Sequence, residues 1–406
     1  MNDIILACLH QNPERFPDSE LNTFDAKQWK TFINLAAEYR VVPLLHQRIS
    51  SAALDSEIAK EALESLGIYA KEVARNNLRM YAELQQYLKA LNQASIPVIL
   101  LKGVYLAHQI YPGKGLREMN DMDLLFHKKD LDRAADILMQ QDYQPSKPLH
   151  TEFEVKKSHH LPPMIKDQVA VFEIHWNITK PGKSYYIEPD LLWERTEVGE
   201  IMGEPVQILS PEDFLLHLCI HTSHQHMFSF GLRPFCDIAA TIQYYGGTLD
   251  WDRVARIATE YGWQKGTFLA LWAAKDMIGA DVPETTLKDL QPEDVDAELL
   301  NISKEQVFTE KYVSASVPQP MITAFEEKNI IKKIKTVWER IFLTPEIMAT
   351  RYPVKPGSIK MYAYYLVRFG EAVKRHTGKM FRIFRGDQKL TGIVERKSAL
   401  HRWLNE

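Results

Sequence analysis

The sequence lacks the features that would place its 406 residues in a membrane, in an oxidising compartment or on nucleic acid. Its three cysteines, Cys8, Cys219 and Cys236, have neither metal-site nor disulfide-framework spacing, so we expect a reducing, cytoplasmic location. No apolar run approaches the roughly 18 to 20 residues that span a bilayer, and the N-terminus has no basic segment typical of a signal peptide. The net charge of -4 gives no overall attraction to nucleic acid, and we expect no specific nucleic-acid partner.

The composition is that of a globular protein, with 45% hydrophobic and 25% charged residues. A chain of this length is expected to form two or three packed domains. The patterning favours an α+β fold, in which a small mixed β-sheet core is flanked by N-terminal and C-terminal helical regions. The predicted divisions are an N-terminal helical region at 1–92, an α/β core at 93–209, a helical domain at 210–327 and a basic C-terminal helical segment at 328–406.

Helical periodicity dominates both flanks of the core. Trp29, Phe32 and Ala36 recur at helical spacing in the N-terminal region. Helical patterning returns from about residue 190. Ser210-Pro211-Glu212-Asp213 has the cap residue, first-turn proline and acidic third position that are typical of a helix start.

Short apolar runs in the core predict buried strands. Residues 97–101 are continuously apolar and end in Lys102-Gly103, which favours a strand followed by a sharp turn. Residues 122–126 predict a second strand, and residues 160–176 predict a hairpin. The second strand of this hairpin is apolar except for Glu173 and His175, which project from one face because side chains alternate along a strand.

Asp121 and Asp123 are the first candidates for chemistry. Alternation along a strand places these two carboxylates on one face, about 7 Å apart along the backbone. Convergent carboxylates repel each other unless a cation lies between them, and Mg2+ favours one or two carboxylates together with substrate phosphates. An isolated Asp-x-Asp is nevertheless weak evidence, because most such pairs lie on solvated turns.

The surrounding residues strengthen the metal-site interpretation. Gly103 would allow backbone amides to approach phosphate oxygens closely. Arg117 and Lys114 lie in the loop before the acids and could neutralise a triphosphate. Glu173 is an acid within an apolar strand, where it needs a metal, a base or solvent. Three acids beside a glycine turn suit two-metal phosphoryl transfer.

This pattern resembles the nucleotidyltransferases of the DNA-polymerase-β superfamily, whose signature is an apolar strand, a glycine turn, an Asp-x-Asp and a third acid on a later strand. It is most similar to an uncharacterised bacterial branch whose strand ends in Leu-Lys-Gly. The resembling segments are Leu100-Leu101-Lys102-Gly103, Arg117, Asn120-Asp121-Met122-Asp123-Leu124-Leu125 and Phe172-Glu173-Ile174-His175-Trp176. Val104 stands where many relatives have serine.

The resemblance implies a role for each residue of the motif. Asp121 and Asp123 would bind two Mg2+ (or Mn2+) ions, and Glu173 would complete the metal site and help to deprotonate the attacking hydroxyl. Lys102, Gly103 and Arg117 would orient the phosphates. The reaction would be an in-line attack on the α-phosphorus of an NTP, with ATP the first choice, releasing pyrophosphate.

Histidines provide further candidate contacts. His217, His221 and His224 lie at i, i+4 and i+7 of a predicted helix, a spacing that fits packing between domains, contact with the nucleotide or acceptor, or a zinc site. The His-Glu-x-x-His pattern of catalytic zinc is absent. The candidates for contact with the acceptor are His160, His175, His221 and Arg233.

The segment from Lys328 onward carries 18 Lys and Arg residues against six Asp and Glu residues. This excess, interleaved with aromatic residues, fits a solvated amphipathic surface, an anionic membrane surface or an acidic acceptor polymer.

The leading hypothesis is therefore transfer of NMP to a hydroxyl of a sugar, lipid-linked intermediate, peptide or protein. The alternatives are a catalytically weak nucleotide-binding or scaffold protein of a biosynthetic complex, and an antitoxin-type transferase that acts on a helical partner. Two intact aspartates favour the enzyme, because the loss of one would be the simplest route to a binding module.

Overall fold

The computed structural model describes residues 1–52, 54–166, 170–309, 357–384 and 388–405, together with positions 343, 345, 348, 352, 354 and 355. The chain divides into two compact units, Met1–Val295 and Asp296–Glu406. Two sequence predictions lie outside the described residues: the turn of the hairpin at 167–169 and the basic residues Lys332, Lys333, Lys335 and Arg340. The four-part division at residues 92, 209 and 327 stays a prediction.

Among the described residues, the first unit contains most of the helices. Those before the sheet are α1 (Asn2–Leu9), α2 (Asp18–Thr23), α3 (Ala26–Glu38), α4 (Val42–Ile49) and α5 (Glu57–Gln93). Those among the strands are α6 (Lys102–Tyr105), α7 (Leu131–Gln140), α8 (Thr151–Lys157) and α9 (Pro189–Trp193). Those after the sheet are α10 (Pro211–Ile220), α11 (Arg233–Tyr245), α12 (Trp251–Glu260), α13 (Gln264–Ile278) and α14 (Glu284–Leu290).

A mixed sheet of seven strands forms the centre of this unit. Its strands are β1 (Ile99–Leu100), β2 (Met122–Leu125), β3 (Gln144–Pro145), β4 (Met164–Lys166), β5 (Ala170–His175), β6 (Glu197–Ile201) and β7 (Glu204–Ile208). They lie in the order β3-β4-β5-β2-β1-β7-β6. The β2–β5 and β1–β7 pairs are parallel, and the other pairs are antiparallel. The predicted α+β class, with a mixed sheet and helical flanks, is confirmed.

One face of the sheet packs against α5 and α7. Phe172 of β5 lies between Tyr87 and Tyr143, with ring centroids 5.0 and 5.1 Å away, and all three side chains are fully buried. Because alternate residues of a strand face opposite sides, this apolar face leaves Glu173 and His175 on the other side of the sheet.

The hairpin formed by β6 and β7 differs from the helical patterning predicted after residue 190. Met202 and Gly203 join the two strands, with φ of 55° and 81°. Positive φ at both positions is the requirement of the type I′ turn, whose twist matches that of paired strands. The five-residue strands are too short, and β6 too exposed, to give a clear alternating apolar pattern.

The second unit contains α15 (Ala297–Val307), α16 (Ile359–Phe384) and α17 (Gln388–Asn405). Helices α15 and α17 pack against each other, as do α16 and α17. Within the described residues, no helix combines the length and apolar character needed to cross a bilayer.

Candidate active site

The pairing of β2 with β5 brings two acids directly together. Asp123 and Glu173 are register partners across this parallel pair, and His175 is paired with Leu125, two residues farther along. The side chains of Asp123, Glu173 and His175 therefore project from the face of the sheet opposite α5. Their positions follow from the strand register, which the apolar residues on the other face hold in place.

Asp123 is the centre of a charged cluster. Its Oδ1 accepts hydrogen bonds from Lys102 Nζ at 2.7 Å and from His175 Nε2 at 2.9 Å. His175 Nε2 also lies 3.3 Å from Glu173 Oε2. The Asp123 side chain is 5% exposed, whereas those of Lys102 and Glu173 are 13% and 22% exposed. The cluster thus has a buried centre and a partly open edge.

These contacts set the charge states of the cluster. Burial works against ionisation of Asp123, but the Lys102 ammonium and the hydrogen bond from His175 outweigh it and hold the pKa of Asp123 well below its usual range. Burial likewise opposes ionisation of Glu173, and its hydrogen bond with His175 leaves its pKa lowered. Both acids are therefore carboxylates at neutral pH.

Asp121 lies immediately before β2 and is half-buried. Burial raises the pKa of Asp121, and the charge of Asp123 raises it further, while Lys102 and Arg117 lower it. Asp121 is therefore within electrostatic range of the cluster, but its carboxylate joins none of the hydrogen bonds around Asp123 that are described above.

In the turn after β1, the residue with the left-handed conformation is not the glycine. The left-handed backbone conformation is adopted by Lys102, with φ of 40°, and not by Gly103. A Cβ on Gly103 would lie inside contact distance of Arg117 Nη1 and 3.1 Å from Arg117 Cζ. Gly103 therefore makes room for a guanidinium group. A non-glycine residue in the left-handed region stores strain of about 1 kcal/mol or more, and such strain clusters at functional sites.

Arg117 forms a buried ion pair with Asp237 of α11, with Nη2 and Oδ2 3.0 Å apart. The hydroxyl of Tyr111 donates to the other oxygen of Asp237 at 3.0 Å. The burial of Arg117 works against its charge, but Asp237 outweighs this effect and raises the pKa of Arg117. The structure places Arg117 beside Gly103, as a brace between the loop and α11, and its phosphate role stays a prediction.

Asn77 of α5 holds the same loop from the other side. Its fully buried amide donates to the carbonyl oxygens of Lys114 and Arg117 at 2.6 and 2.8 Å and accepts from the backbone N–H of Met119 at 3.3 Å. This amide fixes the backbone that leads into Asp121. Sequence analysis missed Asn77, because a polar residue inside a long helix gives no periodic signal.

Histidines line the side of the cluster formed by α10 and the π-helical turn His221–Gln225. His221 Nε2 and His226 Nε2 lie 3.0 Å apart. Burial lowers the pKa of both His217 and His226 to about 3, and the charge of Lys102 contributes to each shift. These imidazoles are therefore neutral at pH 7. His224 instead packs against Tyr185, with ring centroids 4.2 Å apart.

The predicted acceptor contacts fall into two groups. The rings of His160 and His175 lie 5.2 Å apart at the carboxylate cluster, and His221 belongs to the α10 side. Arg233 donates from Nη1 to the carbonyl oxygen of Glu118 at 3.0 Å. Burial, and then the charge of Arg117, lower the pKa of Arg233 to about 10. Arg233 thus supports the loop near Asp121.

The donor set at the cluster suits a divalent cation. Asp123, Glu173 and His175 each offer one ligand atom, and these atoms lie within 4.8 Å of one another. In the part of the chain that the structure describes, no other three His, Cys, Asp or Glu side chains meet this condition, so His217, His221 and His224 do not come together as a zinc site. The group contains two of the three predicted metal ligands, with His175 in the place of Asp121.

The structure thus gathers Lys102, Asp123, Glu173 and His175 at one point, with Asp121 at its edge. Sequence analysis missed Asp237, Asn77 and His226 as parts of the site. The i, i+4 spacing of Arg233 and Asp237 is typical of an ion pair along one helix. In the structure, Asp237 instead pairs with Arg117, and Arg233 donates to the carbonyl oxygen of Glu118.

Comparisons with known proteins identify the family of the chain. Residues 25–279 match the model of a family described as uncharacterised nucleotidyltransferase, and this range includes all seven strands. No curated protein matches the chain. A solved structure of ANT(2″)-Ia in complex with adenylyl-2″-tobramycin is similar at 11% identity and a TM-score of 0.31, over 45% of this chain and 95% of that one. The family match covers more than half of the 406 residues, and the chain therefore belongs to this family of nucleotidyltransferases.

Proposed function

We propose that this nucleotidyltransferase moves NMP from an NTP to a hydroxyl group at the Asp123–Glu173 cluster, with Mg2+ or Mn2+ as the cofactor. The observation that carries the proposal is the register of β2 and β5, which pairs Asp123 directly with Glu173 beside Lys102 and His175. Two ionised carboxylates held this close repel each other, and a divalent cation would balance more of their charge than Lys102 alone.

Asp123, Glu173 and His175 would hold the cation, and Asp121 would add a carboxylate from the edge of the site. The bound cation would neutralise charge on the phosphates and polarise the phosphoryl group that is transferred. Two oxygen donors suit Mg2+, and the imidazole nitrogen raises the relative affinity for Mn2+. A second ion, as the resemblance implies, would need Asp121 as a further ligand.

The chain's own residues would supply the remaining chemistry. Glu173 is ionised and is the more exposed of the two paired acids, so it can accept the proton of an attacking hydroxyl. Lys102, with the turn at Gly103, would contact the phosphates, and Arg117 would add positive potential from its place beside Asp237. ATP is the first NTP to test.

The neutral histidines across the site favour a hydroxylated acceptor. His221 and His226 are partly exposed, and an uncharged imidazole can donate to or accept from a hydroxyl group. His160 is a further candidate contact on the acceptor side, next to His175, which would hold the cation, and Arg233 would support this side through its hydrogen bond to the carbonyl oxygen of Glu118. A sugar, a lipid-linked intermediate, a peptide or a protein could present this hydroxyl. The scaffold alternative is less favoured, because Asp121, Asp123 and Glu173 are all present.

The proposal includes a second contact, between the basic C-terminal segment and an anionic membrane surface or acidic polymer. Its support is α16, on which four large apolar residues recur at helical spacing and are 46 to 88% exposed: Ile359, Tyr362, Leu366 and Phe369. The same helix contains six Lys and Arg residues and one Glu. Apolar and basic residues on one helix are typical of a membrane-surface helix. The free thiols of Cys8, Cys219 and Cys236 support a cytoplasmic location.

Calorimetric titration of each NTP in the presence of Mg2+ or Mn2+ tests the site. Wild type is expected to bind one NTP only when the metal is present, and Asp123→Asn is expected to abolish that dependence. Asp130→Asn is the matched control, because Asp130 is about as buried as Asp123 but precedes α7 and pairs with Arg133 instead of a residue of the cluster. Equal binding by the wild type and Asp123→Asn, or no NTP binding by folded wild type, would contradict the proposal.

A further inference from the structure

The Lys102 ammonium occupies the coordination space of Asp123. Oδ1 of Asp123 accepts from both Lys102 Nζ and His175 Nε2, at 2.7 and 2.9 Å. A carboxylate oxygen has two lone pairs, so these two donors use the whole hydrogen-bonding capacity of Oδ1. Asp123 is 3% exposed, so little of it is open to solvent while both donors are in place.

The two donors differ in what they can do when a cation enters. His175 can remain in place and become a ligand once Nε2 gives up its proton, either to solvent as the cation enters or by a change of tautomer that puts the proton on Nδ1, which has no other hydrogen-bond partner. A protonated lysine has three donors and no lone pair, so Lys102 cannot be a ligand. A divalent cation held by Asp123 and Glu173 would also repel an ammonium group at hydrogen-bond distance from the same carboxylate.

The Lys102 side chain is partly exposed, so its ammonium group can move away from Asp123. Burial is the main cause of the lowered pKa of His160 on one side and of His217, His221 and His226 on the other, and the charge of Lys102 adds to each shift, so the ammonium lies within electrostatic range of both groups. The side chain is 13% exposed, which places it at the open edge of the cluster. The flexible four-carbon stem allows its ammonium to move while the backbone stays fixed.

We propose that Lys102 is an exchangeable counter-ion: it neutralises Asp123 while no metal is bound, yields this position to the divalent cation, and then binds the phosphates of the NTP. The inference rests on the proposed function, since it takes the metal and nucleotide sites from it. Metal binding and phosphate binding are thereby coupled through one side chain, and Asp123 has a cationic partner both before and after the metal binds.

The exchange predicts that one substitution of Lys102 strengthens the binding of Mn2+ and weakens the binding of the NTP. Lys102→Met removes the competitor, so Mn2+ without nucleotide binds at least about tenfold more tightly, the low end of what a close charge pair contributes. The same variant loses a phosphate contact, so the NTP binds more weakly in saturating Mn2+. If Lys102 served only to hold Asp123 in position, both affinities would fall together.

The experiment is titration of the full chain with Mn2+, followed by electron paramagnetic resonance of the free ion, and then calorimetry with ATP in saturating Mn2+. Lys102→Arg keeps the charge and is expected to bind Mn2+ like wild type. Lys180→Met is the matched control, because the charge of Lys180 also reaches His159 and His226. It is expected to change Mn2+ affinity by less than about twofold, since the effect of a more distant charge is screened.

Lys102→Gln serves if Lys102→Met does not fold, because glutamine keeps a donor for Asp123 without the charge. Tighter Mn2+ binding with weaker ATP binding supports the exchange. Unchanged or weaker Mn2+ binding by both neutral variants, with metal-dependent ATP binding intact in wild type, overturns the exchange and leaves the proposed function standing. No Mn2+ binding by wild type overturns both.

Discussion

Gly103→Ala is a sensitive perturbation of the site, because it adds one methyl group at the point where Arg117 approaches the β1–α6 turn. The new Cβ would lie inside contact distance of Nη1 and 3.1 Å from Cζ of Arg117. The guanidinium cannot retreat freely, since Nη2 is paired with Asp237 at 3.0 Å. Either the turn or the buried ion pair must therefore shift.

The expected magnitude follows from two opposing effects. Gly103 lies in α6 and has no positive φ, so alanine would by itself favour the helix by up to about 1 kcal/mol. Overpacking a buried position costs about 1 to 3 kcal/mol, and loosening a buried ion pair adds to this cost. We expect a net loss of about 1 to 3 kcal/mol in the free energy of unfolding.

Urea denaturation followed by tryptophan fluorescence measures this loss. Gly247→Ala is the matched control, because nothing lies within 4 Å of its added Cβ, and it should change stability by less than about 0.5 kcal/mol. In an Arg117→Ala background the cost of Gly103→Ala should largely disappear, since the clashing group is gone. A Gly103→Ala protein as stable as wild type would refute the steric argument.

Three further predictions concern the Arg117–Asp237 ion pair, the buried His217 and the exposed helix α16. Asp237→Ala leaves Arg117 buried without its carboxylate, and the free energy of unfolding should fall by about 3 to 5 kcal/mol in urea denaturation; a loss no larger than that of Asp237→Asn would contradict a charge effect. Burial lowers the pKa of His217 from 6.5 to about 3, so the unfolded chain binds more protons between these values and stability should decrease as the pH falls below about 6.5. Denaturation at a series of pH values should show a shallower decrease for His217→Gln, and an identical pH dependence would show that His217 does not titrate this way. Leu366→Glu should reduce co-sedimentation with phosphatidylserine vesicles, whereas Ile68→Glu, also on an exposed position, should not; equal binding by both variants would argue against α16 as the contact.

Local patterns of the sequence were sufficient for the centre of the site. The apolar run before Lys102-Gly103 and the alternation around Glu173 and His175 depend on neighbouring residues only, and the structure has a strand at each place. The alternation also predicted that Glu173 and His175 share a face, and their side chains are in contact. These features are predictable because a buried strand face tolerates few polar residues without a partner.

The surrounding framework depends on pairings distant in sequence, which periodicity does not encode. Asn77 meets the loop at Lys114 and Arg117, and Asp237 lies 120 residues from Arg117. The assignment of the left-handed conformation to Lys102, with Gly103 beside it, also depends on this framework. The position of Arg117 in the sequence predicts contact with phosphates. In the structure, its buried partner is the carboxylate of Asp237.

The position of the bound cation tests the central claim most directly. Crystals grown with MnCl2 and a non-hydrolysable ATP analogue would give an anomalous difference map that locates Mn2+ independently of the refined coordinates. The account predicts a peak within coordination distance of Asp123, Glu173 and His175, with the α-phosphate of the analogue beside it. A Mn2+ peak away from Asp123 and Glu173, with the analogue bound, would contradict the account.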